Sequence, residues 1–227
     1  WGSWEDLTPK AEVKIETEKA IRDFDLRKGT TILLTMSRIS PEKGIERLLN
    51  ALLLWEKEIG ERRNGRMDSY KLQDVRVLIC GSAAFMRGER YAAKIRKTAS
   101  KLQHIQVAFP GHVSGAKKQA IFQLADLFIS PSLHESYGLS LVEALRHGIP
   151  TISSATYGAL QIANKNTGRV VDMEGGNGPL RLLKTIRELI GNAEELRVMK
   201  KEALLAGRSM DFETSAKTLK EIIGRTI

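Results

Sequence analysis

Two glutamates with seven residues between them, Glu135 and Glu143, bracket a turn and the start of a predicted helix. The apolar run 127–129, typical of a buried strand, ends just before them, and Gly138 lies between them. A strand that ends in a turn and opens a helix leaves backbone N–H groups pointing out of the sheet edge, where they can bind a phosphate. A diphosphate bound there would have one carboxylate near each end of the ligand, which suits a nucleotide-sugar.

Two basic side chains, Arg38 and Lys43, flank the turn that follows the first predicted strand. An Arg guanidinium can clamp phosphate oxygens, a Lys ammonium adds a point charge, and Gly44 opens a helix whose dipole adds to both. Alone, such a pair is more often a solvated Arg and Lys on a loop. Together with the glutamate segment, the pair predicts an anion site.

The two glutamates differ in the role that their positions indicate. Glu143 lies in a predicted helix, where a carboxylate that reaches the crevice can accept two hydroxyl hydrogens, as a ribose diol offers. Glu135 lies in the turn itself and has no helical role there, which makes it the stronger functional candidate.

Other patterns that carry chemistry are missing from the sequence. His112 and His134 fall in predicted turns, but neither is joined by Cys or carboxylates at metal-ligand spacing, so no structural zinc site is predicted. There is no G-x-x-x-x-G-K-[ST], no G-x-G-x-x-G after the first strand, and no G-x-S-x-G. These absences argue against a P-loop NTPase and weaken the case for a dinucleotide-dependent oxidoreductase.

Short apolar strands alternate with amphipathic helices along most of the chain. This alternation predicts an α/β fold with a parallel sheet covered by helices on both faces. In such sheets ligands bind beyond the carboxyl ends of the strands, so the turns after the first four strands should gather around one crevice. The predicted strands are 31–36, 75–79, 105–109, 126–129, 150–152 and 168–171, and the predicted helices are 16–24, 45–59, 91–102, 117–124, one from 138, 180–190, 193–205 and 212–223.

The length of 227 residues and the hydrophobic fraction of 42% are enough for one core domain. We expect that domain over 29–207, preceded by a linker or interdomain segment over 1–28. A C-terminal helix within 208–227 is expected to pack on this domain or to cross to another one.

The net charge of +9 favours anionic partners: a nucleotide, an anionic lipid surface or nucleic acid. Nucleic acid is not predicted, because the basic residues are spread over many helices without an aromatic-rich basic stripe. Cys80 falls in an apolar run and is predicted to be a buried core thiol. A single cysteine cannot form an internal disulfide, so a cytoplasmic setting is predicted, with peripheral contact at the inner membrane face left open.

The residues resemble the C-terminal half of a retaining GT-B glycosyltransferase of the group-one (family four) type. That family has a Gly-Arg-Leu…Glu-Lys-Gly turn, and far downstream Pro-Ser…Glu-x-Phe-Gly-Leu…Glu-Ala. This chain has Ser-Arg-Ile at 37–39, Glu-Lys-Gly at 42–44, Pro-Ser at 131–132, and Glu-Ser-Tyr-Gly-Leu at 135–139 followed by Glu-Ala at 143–144. The similarity runs from about Thr31 to Ile223.

The resemblance implies a Rossmann-like domain that forms one half of a GT-B fold. It implies transfer of a hexosyl group, with retention, from a UDP-, GDP- or ADP-sugar to a sugar or a lipid-linked hydroxyl acceptor in carbohydrate biosynthesis. No permanently bound cofactor and no metal are expected. The family also has an N-terminal Rossmann domain that carries most of the acceptor site. Because this chain opens on Trp1 and has one alternating domain, we expect it to be a fragment that is inactive alone.

The resemblance also assigns roles to individual residues. Arg38 and Lys43 would hold the diphosphate, with Glu135 contacting the transferred sugar and Glu143 the ribose; we count Glu135, Arg38 and Lys43 as the catalytic candidates. The remaining residues expected to bind the donor are Gly138 and Leu139 through their N–H groups, their neighbour Tyr137, and Gly111, His112 and Val113 against the base.

Two departures from the family pattern bear on the site. Ser37 stands where the family has Gly, and Gln161, in a predicted loop over 157–161, stands where the family has Glu. Two alternatives stay open: a non-catalytic nucleotide-sugar-binding module, and an epimerase or phosphorylase on the same fold. The retained glutamate pair argues against the first, and no pyridoxal-phosphate lysine environment can be identified for a phosphorylase.

Overall fold

Six parallel strands form a single sheet in the computed structural model, which describes residues 8–61, 74–83, 88–210, 216–217, 220–221 and 223. The strand order is β3-β2-β1-β4-β5-β6, so the order reverses between β1 and β4. Ligand crevices of open α/β sheets lie at such a reversal, beyond the carboxyl ends of the strands. The strands are β1 Thr31–Met36, β2 Val75–Cys80, β3 Gln106–Gly111, β4 Leu127–Ser130, β5 Thr151–Ser154 and β6 Gly168–Val171.

Helices cover both faces of the sheet, as the sequence predicts. Alternate side chains of one strand point to opposite faces: Leu33 packs in one core cluster, whereas Ile32 and Leu34 pack in the other. The first cluster includes residues of α2, α3 and α7, and the second includes residues of α4, α5 and α6. The helices are α1 Lys10–Asp23, α2 Ile45–Glu61, α3 Gly88–Ala99, α4 Gly115–Leu124, α5 Leu139–Arg146, α6 Tyr157–Ile162, α7 Gly178–Gly191 and α8 Ala193–Ser209, with a short 3₁₀ turn at Pro41–Lys43.

The helix predicted at 16–24 is longer than expected. It begins at Lys10 and packs against α4, and Val13 and Ala20 are buried. Leu26, which follows it, belongs to the second core cluster. The part of 1–28 that the structure describes therefore packs on the domain through α1, because one apolar stripe of α1 is covered by α4. The role of 1–28 as a linker or interdomain segment stays a prediction.

Several further elements differ from their predicted limits. Strand β3 continues through Pro110 and Gly111 instead of ending before them; it is an edge strand, where the missing N–H of a proline costs no ladder bond. Strand β5 runs through Ser154, and the segment 157–161, predicted as a loop, belongs to helix α6. The predicted helix 212–223 lies mostly outside the described residues, so the boundary near 208 stays a prediction.

Cys80 is fully buried at the end of β2, as predicted, and burial raises the pKa of its thiol to about 12. At pH 8 about one thiol in ten thousand would then be ionised, and the thiolate is the reactive form. We expect iodoacetamide or Ellman's reagent to leave the native chain unlabelled and to label one thiol in 8 M urea. Labelling of the native protein at the rate of the urea-unfolded protein would contradict the buried assignment.

Among the described residues, no helix has both the length and the apolar character needed to cross a bilayer.

Candidate functional site

The turn after β1 contacts the segment that follows β4. The backbone N–H of Leu133 donates to the carbonyl oxygen of Glu42 at 2.8 Å. Gly44, which ends the 3₁₀ turn with a left-handed φ of 59°, lies so close that a Cβ atom would be 2.2 Å from the carbonyl oxygen of Pro131. Only glycine allows both that φ and that approach, so Gly44 sets the distance between the two segments.

Lys43 and Glu135 meet where these two segments touch. The Lys43 Nζ donates to Glu135 Oε2 at 2.7 Å, and the two side chains are only 15% and 18% exposed. A partly buried, charge-assisted hydrogen bond of this length holds both groups in place better than a solvated surface pair would. The structure therefore brings together two of the residues that the sequence singled out.

Arg38 lies on the same turn but is far less enclosed. Its side chain is 68% exposed, and its Nη2 is 3.6 Å from Glu42 Oε1. An exposed guanidinium can swing towards an anion, but it must lose rotamer freedom when it does so. From the sequence, Arg38 and Lys43 are equal candidates for binding an anion. In the structure, Lys43 is the more enclosed of the two and makes the shorter ion-pair contact.

Helix α5 begins beside the Lys43–Glu135 pair. Its N-cap is Gly138, with a left-handed φ of 91°, and the N–H groups of Leu141 and Val142 donate to the Gly138 carbonyl oxygen. The N–H groups at the start of an α-helix have no intrahelical acceptor and carry the positive end of its dipole. Gly138 and Leu139 are thus at a position where an anion is favoured, three and four residues after Glu135.

Helix α6 packs against the same turn. The N–H of Gly158 donates to the carbonyl oxygen of Glu135 at 3.0 Å, and a Cβ atom on Gly158 would be 2.4 Å from the Tyr137 carbonyl oxygen. Tyr137 itself is half-buried beside the second core cluster, and burial raises the pKa of its hydroxyl, which therefore stays neutral at physiological pH. Gln161, which stands where the resemblance noted in the sequence would have Glu, is exposed on α6.

Glu143 has a partner that the sequence analysis missed. The Lys118 Nζ donates to Glu143 Oε1 at 2.8 Å, and the side chains are 26% and 29% exposed. Lys118 lies on α4, just after the turn at 111–113. The signal in the sequence is the adjacent lysines at 117–118 that follow a predicted crevice turn, but a lysine on a helix gives no indication of which carboxylate it will reach.

The turn after β3 joins the same edge of the sheet. The carbonyl oxygen of Gly111 accepts from the Gly81 N–H at 2.8 Å, which ties the ends of β2 and β3 together. Val113 is buried, whereas His112 and, in the β4–α5 segment, His134 are exposed. In the part of the chain that the structure describes, no group of three His, Cys, Asp or Glu side chains is placed to hold a metal ion.

Sequence relatives of this chain include glycosyltransferases of bacteria and plants. The chain is 24% identical over 209 residues to a D-inositol 3-phosphate glycosyltransferase of Salinispora tropica, an alignment that covers 92% of this chain and 41% of that protein. It is 28% identical over 179 residues to sucrose-phosphate synthase of Zea mays, covering 76% of this chain and 16% of the relative. The chain thus spans less than half the length of these two proteins.

Solved structures show the same fold at low sequence identity. The Anabaena protein Alr3699/HepE in complex with UDP-glucose superposes with a TM-score of 0.72 at 18% identity, covering 96% of this chain and 54% of that one. The C-terminal domain of a group 1 glycosyl transferase from Francisella tularensis, LpcC, gives 0.65 at 15% identity, covering 85% and 91%. The predicted Rossmann-like half of a GT-B fold is confirmed.

A family model describes most of the chain directly. The model for glycosyl transferases group 1 matches residues 16–205, which include the Lys43–Glu135 and Lys118–Glu143 pairs and the α5 N-terminus. The resemblance noted in the sequence is therefore confirmed: the chain belongs to the group 1 glycosyl transferase family.

Proposed function

We propose that this chain is the donor-binding domain of an enzyme that transfers a hexosyl group, with retention, from a nucleotide diphosphate sugar to a hydroxyl acceptor. The observation that carries the proposal is the Lys43–Glu135 contact of 2.7 Å beside the N-terminus of α5. The Lys43 ammonium, the Glu135 carboxylate and the first N–H groups of α5 then lie beside one another. They are at the carboxyl ends of the strands, where such folds bind ligands.

In this proposal the diphosphate binds to Lys43, Arg38 and the N–H groups of Gly138 and Leu139. As the bond to the sugar breaks, negative charge grows on the leaving diphosphate, and cations and helix N–H groups fixed in place stabilise that charge. Glu135, held by Lys43, orients the transferred sugar through its carboxylate.

The nucleoside half of the donor is proposed to extend from the diphosphate towards α4. Glu143 accepts hydrogen bonds from the ribose hydroxyls, and the base lies against Gly111, His112 and Val113. Tyr137 supports the turn between sugar and diphosphate. UDP and UDP-glucose, named in the HepE complexes, support a UDP-sugar as the first donor to test, before GDP- and ADP-sugars.

The acceptor is proposed to be a sugar or lipid-linked hydroxyl, bound largely by a second Rossmann domain. Alignments that cover 41% and 51% of two D-inositol 3-phosphate glycosyltransferases, and about half of the HepE chain, support that second domain. The net charge of +9 supports contact with an anionic membrane surface at the cytoplasmic face, where a lipid-linked acceptor would be found.

Calorimetry tests the donor assignment. We expect the chain to bind one of UDP, GDP or ADP more tightly than the matching monophosphate by roughly 10-fold, because the second phosphate adds a charge-assisted contact. Equal affinity for mono- and diphosphate would contradict the diphosphate site. Transfer and retention are tested on the chain joined to its acceptor domain, where NMR of the product should show the donor's anomeric configuration; a donor converted to its epimer instead would identify an epimerase.

A further inference from the structure

We propose that Lys118 is a positioning residue, which holds the Glu143 carboxylate in the orientation that recognises a ribose diol. The inference rests on the proposed function and deepens it, because it adds a residue that would set the preference of the site for ribonucleotides. It starts from the Lys118–Glu143 hydrogen bond of 2.8 Å and from the partial burial of both side chains.

The two helices that carry this pair are joined by a second set of contacts. His147, at the C-cap of α5, has its Nε2 2.6 Å from Gln119 Oε1 and its Nδ1 2.8 Å from the Glu143 carbonyl oxygen. Its ring also stacks on Phe122 of α4, with centroids 4.7 Å apart and 15° between the planes. Residues 118 and 119 of α4 therefore contact Glu143 of α5 and His147 at its C-cap, one helical turn apart, so a second set of side-chain contacts joins the two helices beside the Lys118–Glu143 pair.

The pairing leaves the carboxylate able to bind a diol. A carboxylate offers about four lone-pair sites on its two oxygens. Among the described residues, Lys118 is the only hydrogen-bond partner of the Glu143 carboxylate, and it occupies Oε1. One oxygen held by an ammonium sets the plane of the carboxylate, and the remaining sites can accept both ribose hydroxyls. Without Lys118, a glutamate that is 29% exposed would sample several rotamers, and fewer of them would face the diol.

The matched control is a second lysine–carboxylate pair at the other end of the sheet. The Lys200 Nζ donates to Asp126 Oδ1 at 2.6 Å with 38% and 27% exposure, and Asp126 also accepts from the N–H of Ile32 near the start of β1. Lys200→Met removes the same kind of ion pair but leaves unchanged the residues at the carboxyl ends of the strands, where the nucleotide is proposed to bind. Any loss of nucleotide recognition that both variants share is then a general effect of removing a lysine.

The experiment measures the binding of UDP and of 2′-deoxy-UDP by calorimetry, or the same pair of GDP or ADP forms if the donor screen selects one of those. For the unchanged chain and for Lys200→Met we expect a preference for the ribonucleotide on the order of 10-fold, the effect of a lost hydrogen bond to a charged group. For Lys118→Met we expect weaker UDP binding and a preference reduced to about 3-fold or less; 2′-deoxy-UDP, which keeps only the 3′-hydroxyl contact, should lose less affinity than UDP.

A double-mutant cycle separates positioning from direct contact. Glu143→Ala should reduce the ribose preference, and Lys118→Met added to Glu143→Ala should cause no further loss, because a residue that acts only through the Glu143 carboxylate has nothing left to position. A further loss in the double variant would show that Lys118 contacts the ligand itself and would overturn the inference. So would an unchanged ribose preference in Lys118→Met.

Failure of the proposed function would give a different result. If the unchanged chain binds none of the three nucleoside diphosphates, the donor site itself is wrong and the inference falls with it. If UDP binding depends on Lys43 but the ribose preference is the same with and without Lys118, the donor site stands and only the role of Lys118 is rejected. Urea unfolding of each variant confirms that the measured chains are folded.

Discussion

Lys43→Met is expected to weaken nucleoside diphosphate binding by about 1.5–3 kcal/mol, the contribution of a charge-assisted hydrogen bond. The Lys43 side chain is 15% exposed, and its Nζ is already held by Glu135. An anion that binds to this ammonium therefore does not have to offset the entropy cost of immobilising a mobile side chain. Calorimetry with UDP, GDP and ADP on the variant and the unchanged chain measures the difference.

Two further variants sharpen this prediction. Lys94→Met is the control: Lys94 pairs with Glu46 at 4.0 Å on the exposed surface of α3 and should leave nucleotide binding unchanged. Arg38→Met should weaken binding less than Lys43→Met, because Arg38 is 68% exposed and must be ordered by the ligand. Equal binding by Lys43→Met and the unchanged chain would exclude Lys43 from the diphosphate site.

Gly44→Ala should destabilise the fold and the site together. Alanine at a left-handed φ of 59° costs about 1–2 kcal/mol, and a Cβ atom 2.2 Å from the Pro131 carbonyl oxygen forces the two segments apart, a steric cost of about 1–3 kcal/mol. We expect a total loss of about 2–5 kcal/mol in the free energy of unfolding, read from urea denaturation. Nucleotide affinity of the folded variant should also fall, because Lys43 and Glu135 lie on the two segments that separate.

Gly175→Ala isolates the steric part of that loss. Gly175 has a similar φ of 66°, but a Cβ atom there would meet nothing within 4 Å. It should therefore show the backbone cost alone, about 1–2 kcal/mol, with unchanged nucleotide binding. If Gly44→Ala is no more destabilising than Gly175→Ala, the close approach to Pro131 does not set the geometry of the site.

The sheet could be predicted because its signal is local. All six predicted strands are present, and β1 and β6 have the predicted limits, since each strand is a short segment set off by turns or polar residues, and β1, β2 and β4 are largely apolar and buried. Helix α6 was missed because six residues are too few to show a period. Its place is set by Gly158 packing on Tyr137, a contact with a different part of the chain.

Within the site, the sequence identified groups but not their partners. Lys43 and Glu135 are 92 residues apart in the chain, and Lys118 and Glu143 are 25 apart. From charge and turn chemistry, the sequence predicts that Lys43, Glu135 and Glu143 lie near the carboxyl ends of the strands, but it does not predict this for Lys118. Nothing local indicates that Lys43 turns inwards while Arg38 remains exposed, or that a lysine on α4 reaches a carboxylate on α5.

The amino-acid sequence by itself determined the alternation of strands and helices, the parallel sheet, the buried thiol of Cys80 and the side chains available at one edge, because hydrophobic period and turn chemistry act between near neighbours. The tertiary structure alone decided which lysine pairs with which glutamate and which basic residue is enclosed. Those contacts depend on the reversal of strand order between β1 and β4 and on the packing of α4 against α5, and only the closed fold brings these distant segments within hydrogen-bond distance.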